Sequence, residues 1–147
     1  MKRLIAAFAV LAVLATATNL PAEVNLEGVK CVVASKPASK TKAADYKDGK
    51  VYFCCGGCVG KFTKDSSKFA AEANRQLVAT KQYKQTGCPF SGGEVNAATK
   101  MKVAGVEVAF CCEGCKGKVA AEKDKKKQLA MVFGEKAFKN AFAKPKK

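Results

Sequence analysis

The eight cysteines of the chain occur as two copies of one spacing pattern. The first copy consists of Cys31, Cys54, Cys55 and Cys58, and the second, 57 residues later, of Cys88, Cys111, Cys112 and Cys115. In each copy, 22 residues separate the first cysteine from a Cys-Cys-x-Gly-Cys cluster. Cysteines that served only for packing would not repeat at one constant offset. The fold therefore has to bring four sulfurs together twice, either around a metal ion or in disulfides.

Each copy carries the signal of a β-hairpin between its first cysteine and its cluster. In the first copy, Lys47-Asp48-Gly49 lies between two short apolar runs, and Asp-Gly in that position is a strong tight-turn signal. In the second copy, Ala104-Gly105 precedes Val106–Phe110, where apolar residues alternate as in a half-buried strand. The second strand of each hairpin is thus expected to lead directly into Cys-Cys.

A helical pattern follows the cluster of the first copy. The cluster glycines Gly56 and Gly57, like Gly114 in the second copy, are expected to take the positive φ angles that a tight turn needs. A short helical stretch begins at Lys61, and a longer helix then continues to about Thr80. Apolar residues recur at helical spacing along one face of that longer helix.

The second copy ends in a similar way. Its helix is expected to begin near Lys116 and to include the charged run 123–127, which we interpret as a solvated face. Gly134 is expected to break or cap this helix. Phe138 and Phe142 are four residues apart and indicate a last short helix that packs on the core.

A hairpin brings its two ends together, so the first cysteine of each copy can meet the cluster. Zn²⁺ takes four tetrahedral ligands, with sulfur at about 2.3 Å, and a knuckle with two residues between its cysteines is a usual way to supply two of them. Cys55-x-x-Cys58 has that spacing, and Cys54-x-x-x-Cys58 is the helical alternative. Because adjacent strand residues point to opposite faces, we expect Cys31 and Cys58 to bind together with one or both of the vicinal pair.

The chemistry of sulfur limits which ions could bind. Sites made only of thiolates select soft or borderline ions, such as Cu⁺, Zn²⁺, Cd²⁺ or Hg²⁺, over Mg²⁺ or Ca²⁺. The helix that follows each cluster places its positive end near the sulfurs, which favours thiolates. All eight cysteines are therefore candidate metal ligands, with Zn²⁺ or Cu⁺ as the expected ion.

Disulfides are the alternative use of the same sulfurs. An even number of cysteines in a small exported protein is typical of a disulfide framework. Units of about 55 residues rarely bury enough apolar surface to be stable without disulfides or metals. A bridge from Cys31 to its cluster would close a loop of about 25 residues and contribute roughly 3 kcal/mol. A third interpretation, a redox enzyme using Cys-Gly-Gly-Cys, lacks the βαβ context of thioredoxin-like proteins.

The N-terminus indicates export. Lys2 and Arg3 precede an apolar run, 4–14, and a small-x-small cleavage site, 15–17, which together are typical of a secretory signal peptide. The apolar run is too short to span a membrane, and an uncleaved anchor is the alternative interpretation. We therefore expect a periplasmic or secreted protein, cleaved near Ala17 and without stable membrane insertion.

Charge and composition narrow the function further. The net charge of +15 is spread along the chain and is expected to form a solvated surface, with recruitment of an acidic envelope partner as the alternative. Nucleic-acid binding is not expected, because no aromatic stacking platform accompanies the lysines. The chain has no histidine, so it lacks an imidazole for metal binding or general-base catalysis. We do not expect an enzyme.

One further run of residues carries a family resemblance. The run Tyr46-x-x-Gly49-Lys50-x-Tyr52-Phe53-Cys54-Cys55-x-x-Cys58-x-x-x-Phe62, with Cys31 upstream, resembles a YHS domain. It is also similar to the related TRASH domain, a small cysteine motif proposed to sense or traffic heavy metals. The second copy, from Cys88-Pro89-Phe90-Ser91-Gly92 to its cluster, resembles the family less closely. It has Val103, Ala109 and Val119 in place of the two tyrosines and the last phenylalanine.

The resemblance implies a treble-clef-like unit of hairpin, knuckle and helix. It also implies three ligands in each copy: Cys31, Cys54 and Cys58, then Cys88, Cys111 and Cys115. YHS domains occur attached to metal pumps, to oxygenases and as stand-alone exported proteins, so the resemblance alone does not give an activity.

Together, these observations predict an α+β protein made of two treble-clef-like units in tandem pseudo-repeat. We expect a signal peptide (1–17), a leader (18–30), a first YHS-like unit with a connecting helix (31–80), a linker (81–87), a second unit with C-terminal helices (88–143) and a basic tail (144–147). The expected function is buffering or trafficking of a soft metal ion by an exported protein. A disulfide-stapled basic interaction module without metal is the alternative.

Overall fold

The structure of the protein, a computed structural model, describes residues 24–146. The predicted signal peptide and the leader up to residue 23 lie outside the described residues. Within 24–146, no helix is long and apolar enough to cross a membrane. The elements in chain order are β1 (Ser39–Tyr46), β2 (Gly49–Phe53), α1 (Gly56–Lys64), a 3-10 turn (Ser66–Phe69), α2 (Ala70–Ala79), β3 (Lys84–Gln85), β4 (Asn96–Val103), β5 (Val106–Phe110), α3 (Glu113–Ala121), α4 (Lys125–Phe133), α5 (Glu135–Ala141) and β6 (Phe142–Ala143).

The structure confirms the predicted α+β fold with two repeated units. In each unit an antiparallel hairpin, β1–β2 or β4–β5, leads through the cysteine knuckle into a helix, α1 or α3. The repeat includes an irregularity in strand pairing. Ser39 pairs with Phe53 and Asn96 pairs with Phe110, and the register shifts after that pair in both hairpins. The two knuckles therefore leave their hairpins at equivalent positions.

One apolar core serves both units. Helix α2 packs against α4 and also contacts β2 and β5, so it lies between the two hairpins. Phe53 and Phe62 of the first unit, Leu77 of α2, and Phe110 and Phe133 of the second unit are buried in a single cluster. The chain thus combines two small units into one larger hydrophobic core, which removes more apolar surface from water than either unit could alone.

The first helix of each unit begins earlier than the sequence predicted. Helix α1 begins at Gly56 rather than Lys61, and α3 begins at Glu113 rather than Lys116. The predicted positive φ angles of the cluster glycines were wrong, because none of these glycines is among the positive-φ residues of the described chain. The knuckle turns at the extended cysteine before each helix, and the glycines belong to the first helical turn.

The predicted single helix of the second unit is in fact two helices. Helix α3 ends before the charged run, and Asp124 begins α4 by accepting hydrogen bonds from the N–H groups of Lys126 (2.8 Å) and Lys127 (3.3 Å). An aspartate in this position satisfies N–H groups that have no helical partner, so it favours a new helix start. Gly134 ends α4 as predicted. Phe142 packs in the core as expected but lies in β6 rather than in the last helix.

Glutamine side chains complete the free edge of the second strand in each hairpin. Gln76 accepts a hydrogen bond from the N–H of Tyr52 (2.6 Å) and donates to its carbonyl (2.9 Å). Gln85 makes the same pair of bonds with Ala109, at 2.9 and 2.6 Å. Tyr52 and Ala109 are equivalent residues of the repeat. The two glutamines therefore act as peptide groups that satisfy the buried strand edge just before each knuckle.

A third glutamine extends this pairing toward the hairpin turn. Gln82 accepts from the N–H of Lys50 and donates to its carbonyl, both at 2.7 Å. A Cβ on Gly49 would lie 2.7 Å from Gln82 Oε1, so a side chain there would displace the Gln82 amide from Lys50. The turn of the first hairpin falls at Lys47-Asp48, within the predicted segment 47–49, with a φ of +52° at Lys47.

A polar cluster connects the first hairpin to the helices of the second unit. Glu135 accepts hydrogen bonds from the Tyr46 hydroxyl (2.9 Å), the Lys47 ammonium (2.8 Å) and Asn74 Nδ2 (3.3 Å). Burial raises the pKa of Tyr46, and its hydrogen bond to Glu135 raises it further. Burial opposes ionisation of Glu135, but Lys47 and Tyr46 outweigh that effect and lower its pKa. The cluster holds the two units together with charge-assisted bonds.

We predict that Gln76→Leu lowers the free energy of unfolding by about 3 kcal/mol, because it leaves the buried N–H and carbonyl of Tyr52 without partners. Urea denaturation measures the loss. The matched control is Gln82→Leu, which removes the same pair of bonds from an exposed residue, Lys50, and should cost about 1 kcal/mol or less. Equal losses in the two variants would contradict the proposed role of Gln76.

Candidate metal centre

In each unit, three of the four predicted cysteines converge. The Sγ atoms of Cys31, Cys54 and Cys58 all lie within 4.8 Å of one another. The equivalent atoms of the second unit, those of Cys88, Cys111 and Cys115, meet the same limit. We call these groups the first and second triads. They are the residues that the YHS resemblance implied as ligands, and each group could hold a metal ion.

The first cysteine of each triad lies at the start of a tight loop. The N–H of Cys31 donates to the carbonyl of Lys36 (2.7 Å), and the N–H of Ser35 donates to the carbonyl of Cys31 (3.2 Å). The loop at Cys88 repeats both bonds 57 positions later, at 2.8 and 2.7 Å. Ser35 and its equivalent, Gly92, both have positive φ, +54° and +71°. The two loops therefore share one backbone conformation although their sequences differ.

These loops point backbone N–H groups at the first sulfur. Burial of Cys88 favours its neutral form, but the N–H groups of Ser91, Cys111 and Phe90 together outweigh burial and lower its pKa to about 6. Burial likewise opposes ionisation of Cys31, and the N–H groups of the equivalent residues in the first unit lower its pKa too. Successive N–H groups of this kind form an anion-binding concavity. Each triad thus contains one sulfur that the backbone favours as a thiolate.

The knuckle and the first helical turn hold the other two sulfurs of each triad. Cys54 Sγ lies 3.7 Å from Cys58 Sγ, and Cys111 Sγ lies 3.6 Å from Cys115 Sγ. Two sulfurs that bind one ion at about 2.3 Å are about 3.8 Å apart in a tetrahedral arrangement and about 4.0 Å apart in a trigonal one. The pairs are therefore already close to the spacing that two ligands of one ion require.

The helical cysteines differ from the loop cysteines in their ionisation. Burial raises the pKa of Cys58 to about 12, and the neighbouring thiols add to this effect. The pKa of Cys115 is also raised to about 12, for the same reasons. Burial, as the largest cause, also raises the pKa of Cys54. These thiols carry protons at neutral pH, and a metal ion has to displace those protons to bind.

The fourth cysteine of each copy lies beside its triad and is exposed. Cys55 Sγ is 3.5 Å from Cys58 Sγ and 3.9 Å from Cys54 Sγ, but it does not meet the 4.8 Å limit for the whole first triad. Cys112 is placed in the same way, 3.9 Å from Cys111. The N–H of Cys58 at the helix start lowers the pKa of Cys55, and the N–H of Cys115 lowers that of Cys112.

All eight cysteines lie within the described residues, and each is a free thiol. The sulfur–sulfur distances given above, 3.5 to 3.9 Å, are far longer than the roughly 2.05 Å of a disulfide bond. The disulfide-stapled alternative therefore does not describe this structure.

The two sites differ at one polar contact. The hydroxyl of Ser91 lies 3.4 Å from Cys111 Sγ and donates toward it, whereas the equivalent residue of the first unit is Ala34. Sequence analysis did not identify Ser91 as part of the site, although a comparison of the two copies at the 57-residue offset shows the Ala/Ser difference. It also missed the N–H groups of the two loops, because the loop sequences do not resemble each other.

Comparisons of the chain with protein-family models, with curated proteins and with solved structures found no match. The function is therefore inferred from the sulfur geometry of the two units.

We predict that Zn²⁺ affinity at the first triad rises at least about 100-fold per pH unit near pH 7, because Cys54 and Cys58 each have a raised pKa and each must release a proton. Calorimetric titration in two buffers of different ionisation enthalpy counts the protons released. A Cys111→Ser variant, which disables the second triad, isolates the first. An affinity that is unchanged between pH 6.5 and 7.5, roughly the range in which these thiols stay protonated, would contradict the prediction.

Proposed function

We propose that the protein binds soft metal ions, with one site in each unit, and serves to buffer or carry them. The observation that carries the proposal is the convergence of three Sγ atoms within 4.8 Å, found independently in both units. Bringing three thiols together gains little unless something binds them, because thiols are weak hydrogen-bond partners for one another. The same arrangement in two loops of different sequence supports a binding role for both.

The ligand chemistry supports zinc or copper(I) as the bound ion. Within residues 24–146, the two groups with converging ligand atoms contain sulfur alone, and the chain has no histidine. Soft ligands of this kind suit Cu⁺ and Zn²⁺ and do not suit Mg²⁺ or Ca²⁺. Three thiolates could form a three-coordinate site for Cu⁺. Zn²⁺ prefers four ligands, and a water molecule could complete its shell.

We also propose that this is a stand-alone YHS-like protein of the cell envelope that does not act as an enzyme. The knuckle sequence and the order of hairpin, knuckle and helix support the family assignment. The basic and apolar stretches before Ala17 support export. The absence of histidine supports binding over acid–base catalysis. If export is correct, N-terminal sequencing of the protein recovered from the envelope should begin at or near Thr18; recovery of the intact N-terminus from the cytoplasm would contradict it.

Native mass spectrometry of the protein purified without chelator tests the metal proposal. We expect two bound ions per chain, and the measured mass difference identifies the ion. Cys54→Ser should reduce the count to one, and the double variant Cys54→Ser/Cys111→Ser should reduce it to none. The Cys54→Ser variant contains its own control, because the second triad is unchanged.

Two results would contradict the metal proposal. The first is a wild-type protein that takes up neither Zn²⁺ nor Cu⁺ under reducing conditions. The second is a denatured mass that is lower by two hydrogens for each of four disulfides, which would restore the disulfide alternative.

A further inference from the structure

The exposed fourth cysteine of each copy has no structural role that would require a sulfur. Cys55 and Cys112 are the N-cap residues of α1 and α3, with nearly identical extended conformations (φ −157° and −155°, ψ 166° in both). Helix N-caps favour Ser, Thr, Asp or Asn, whose oxygen bonds the N–H groups of the first turn. The N–H groups of Cys58 and Cys115 face these sulfurs, but neither cysteine makes a side-chain capping hydrogen bond of full geometry. Serine would serve the helix better at both positions.

Packing does not explain these cysteines either. Cys55 and Cys112 are exposed, whereas Cys31, Cys58 and Cys88 are buried. In each unit the exposed sulfur lies 3.9 Å from the knuckle cysteine that precedes it, and in the first unit it lies 3.5 Å from Cys58. The fourth cysteine is therefore the most exposed of the four in each unit, and its sulfur is close enough to its nearest triad sulfurs to approach the same ion.

The burial of the triad limits how an ion could enter or leave it. Cys31 is 3% exposed and Cys58 is 8% exposed, so these two sulfurs offer almost no surface to a second molecule in the folded first unit. The knuckle side offers more surface, because Cys54 and Cys111 are partly exposed there and Cys55 and Cys112 are exposed. An ion that dissociates directly from three thiolates would also lose all of its ligands at once, which is slow for tightly bound soft ions.

Building on the proposed function, we propose that Cys55 and Cys112 are exchange ligands that pass the metal ion between each triad and an external thiol. The ion first gains a bond to the Cys55 thiolate and loses its bond to Cys31. It then gains a bond to the incoming thiolate and loses its bond to Cys58, and the last two protein ligands leave as further acceptor thiolates bind. Each incoming thiol gives up its proton to a released protein thiolate or to water, and the oxidation state of the metal does not change.

The partner implied is a thiol, either a small-molecule thiol or a cysteine pair on a protein. The exposed position of the exchange ligand fits both sources, because neither needs to enter the buried side of the triad. Two acceptors distinguish them. Glutathione represents the small molecule, and a short peptide with a Cys-x-x-Cys sequence represents the protein. Faster transfer to the peptide at equal thiol concentration would identify a protein thiol as the better partner.

The test compares two double variants of the full protein loaded anaerobically with Cu⁺. Cys55→Ser/Cys112→Ser removes the exchange ligands, and serine is compatible with both N-cap positions, so the variant should fold. We expect it to retain two ions per chain but to transfer them to the thiol acceptors about tenfold more slowly than the wild type. Native mass spectrometry at timed intervals measures both the retained ions and the rate. Cys54→Ser/Cys111→Ser is the matched control and should retain no ions.

Two outcomes would overturn the proposal. If Cys55→Ser/Cys112→Ser transfers its ions at the wild-type rate, the exposed cysteines take no part in exchange. If that variant loses both ions, the exposed cysteines are ligands that binding itself requires. A wild-type protein that binds neither Cu⁺ nor Zn²⁺ is a separate result, seen before any transfer is measured, and it would remove the proposed function itself.

Discussion

The end of the second strand in each hairpin is the segment on which both triads depend. In the first unit, Phe53 is fully buried in the core, the next residue supplies a triad sulfur, and the N–H of that residue, Cys54, faces the sulfur of Cys31. Tyr52, the residue before Phe53, has its backbone N–H and carbonyl bonded by the Gln76 side chain. Backbone position, core packing and sulfur position are therefore set by three adjacent residues. A shift of one residue here would reverse the side-chain faces and separate the sulfurs.

The second unit reaches the same geometry with different residues. Gln85 replaces Gln76 at the strand edge from a position that is not equivalent in the repeat, and Gly92 replaces Ser35 at the positive-φ position of the loop. Thr99 additionally binds the N–H and carbonyl of Phe110, where the hairpin register is irregular. The two units are thus more alike in backbone geometry than in sequence. Both units have to place their sulfurs in the same arrangement, which explains why the backbone geometry repeats although the side chains differ.

Sequence reasoning identified the parts of this structure that depend on local spacing. The cysteine register, the two hairpins and the hairpin–knuckle–helix order follow from residues close together in the chain. The predicted helix starts were wrong, because the glycines suggested a turn where the first helical turn forms. The predicted single helix of the second unit was also wrong, because the Asp124 cap competes with continuation of α3. Sequence reasoning could not predict the glutamine pairings or the N–H groups around Cys31, because these join segments that come together only in the folded chain.

Because the two units share one core, less of the free energy of metal binding has to be spent on folding. Units of about 55 residues commonly need a metal to fold at all, and binding free energy is then consumed by folding. Here Leu77 of α2 packs with phenylalanines of both units in one cluster, and Glu135 joins the first hairpin to the second unit. The core and this polar cluster do not require an ion. The backbone can therefore hold the sulfurs near ligand spacing before binding, so more of the binding free energy becomes affinity. A site that is organised in advance can also release its ion without unfolding, which is the property that the proposed carrier function needs.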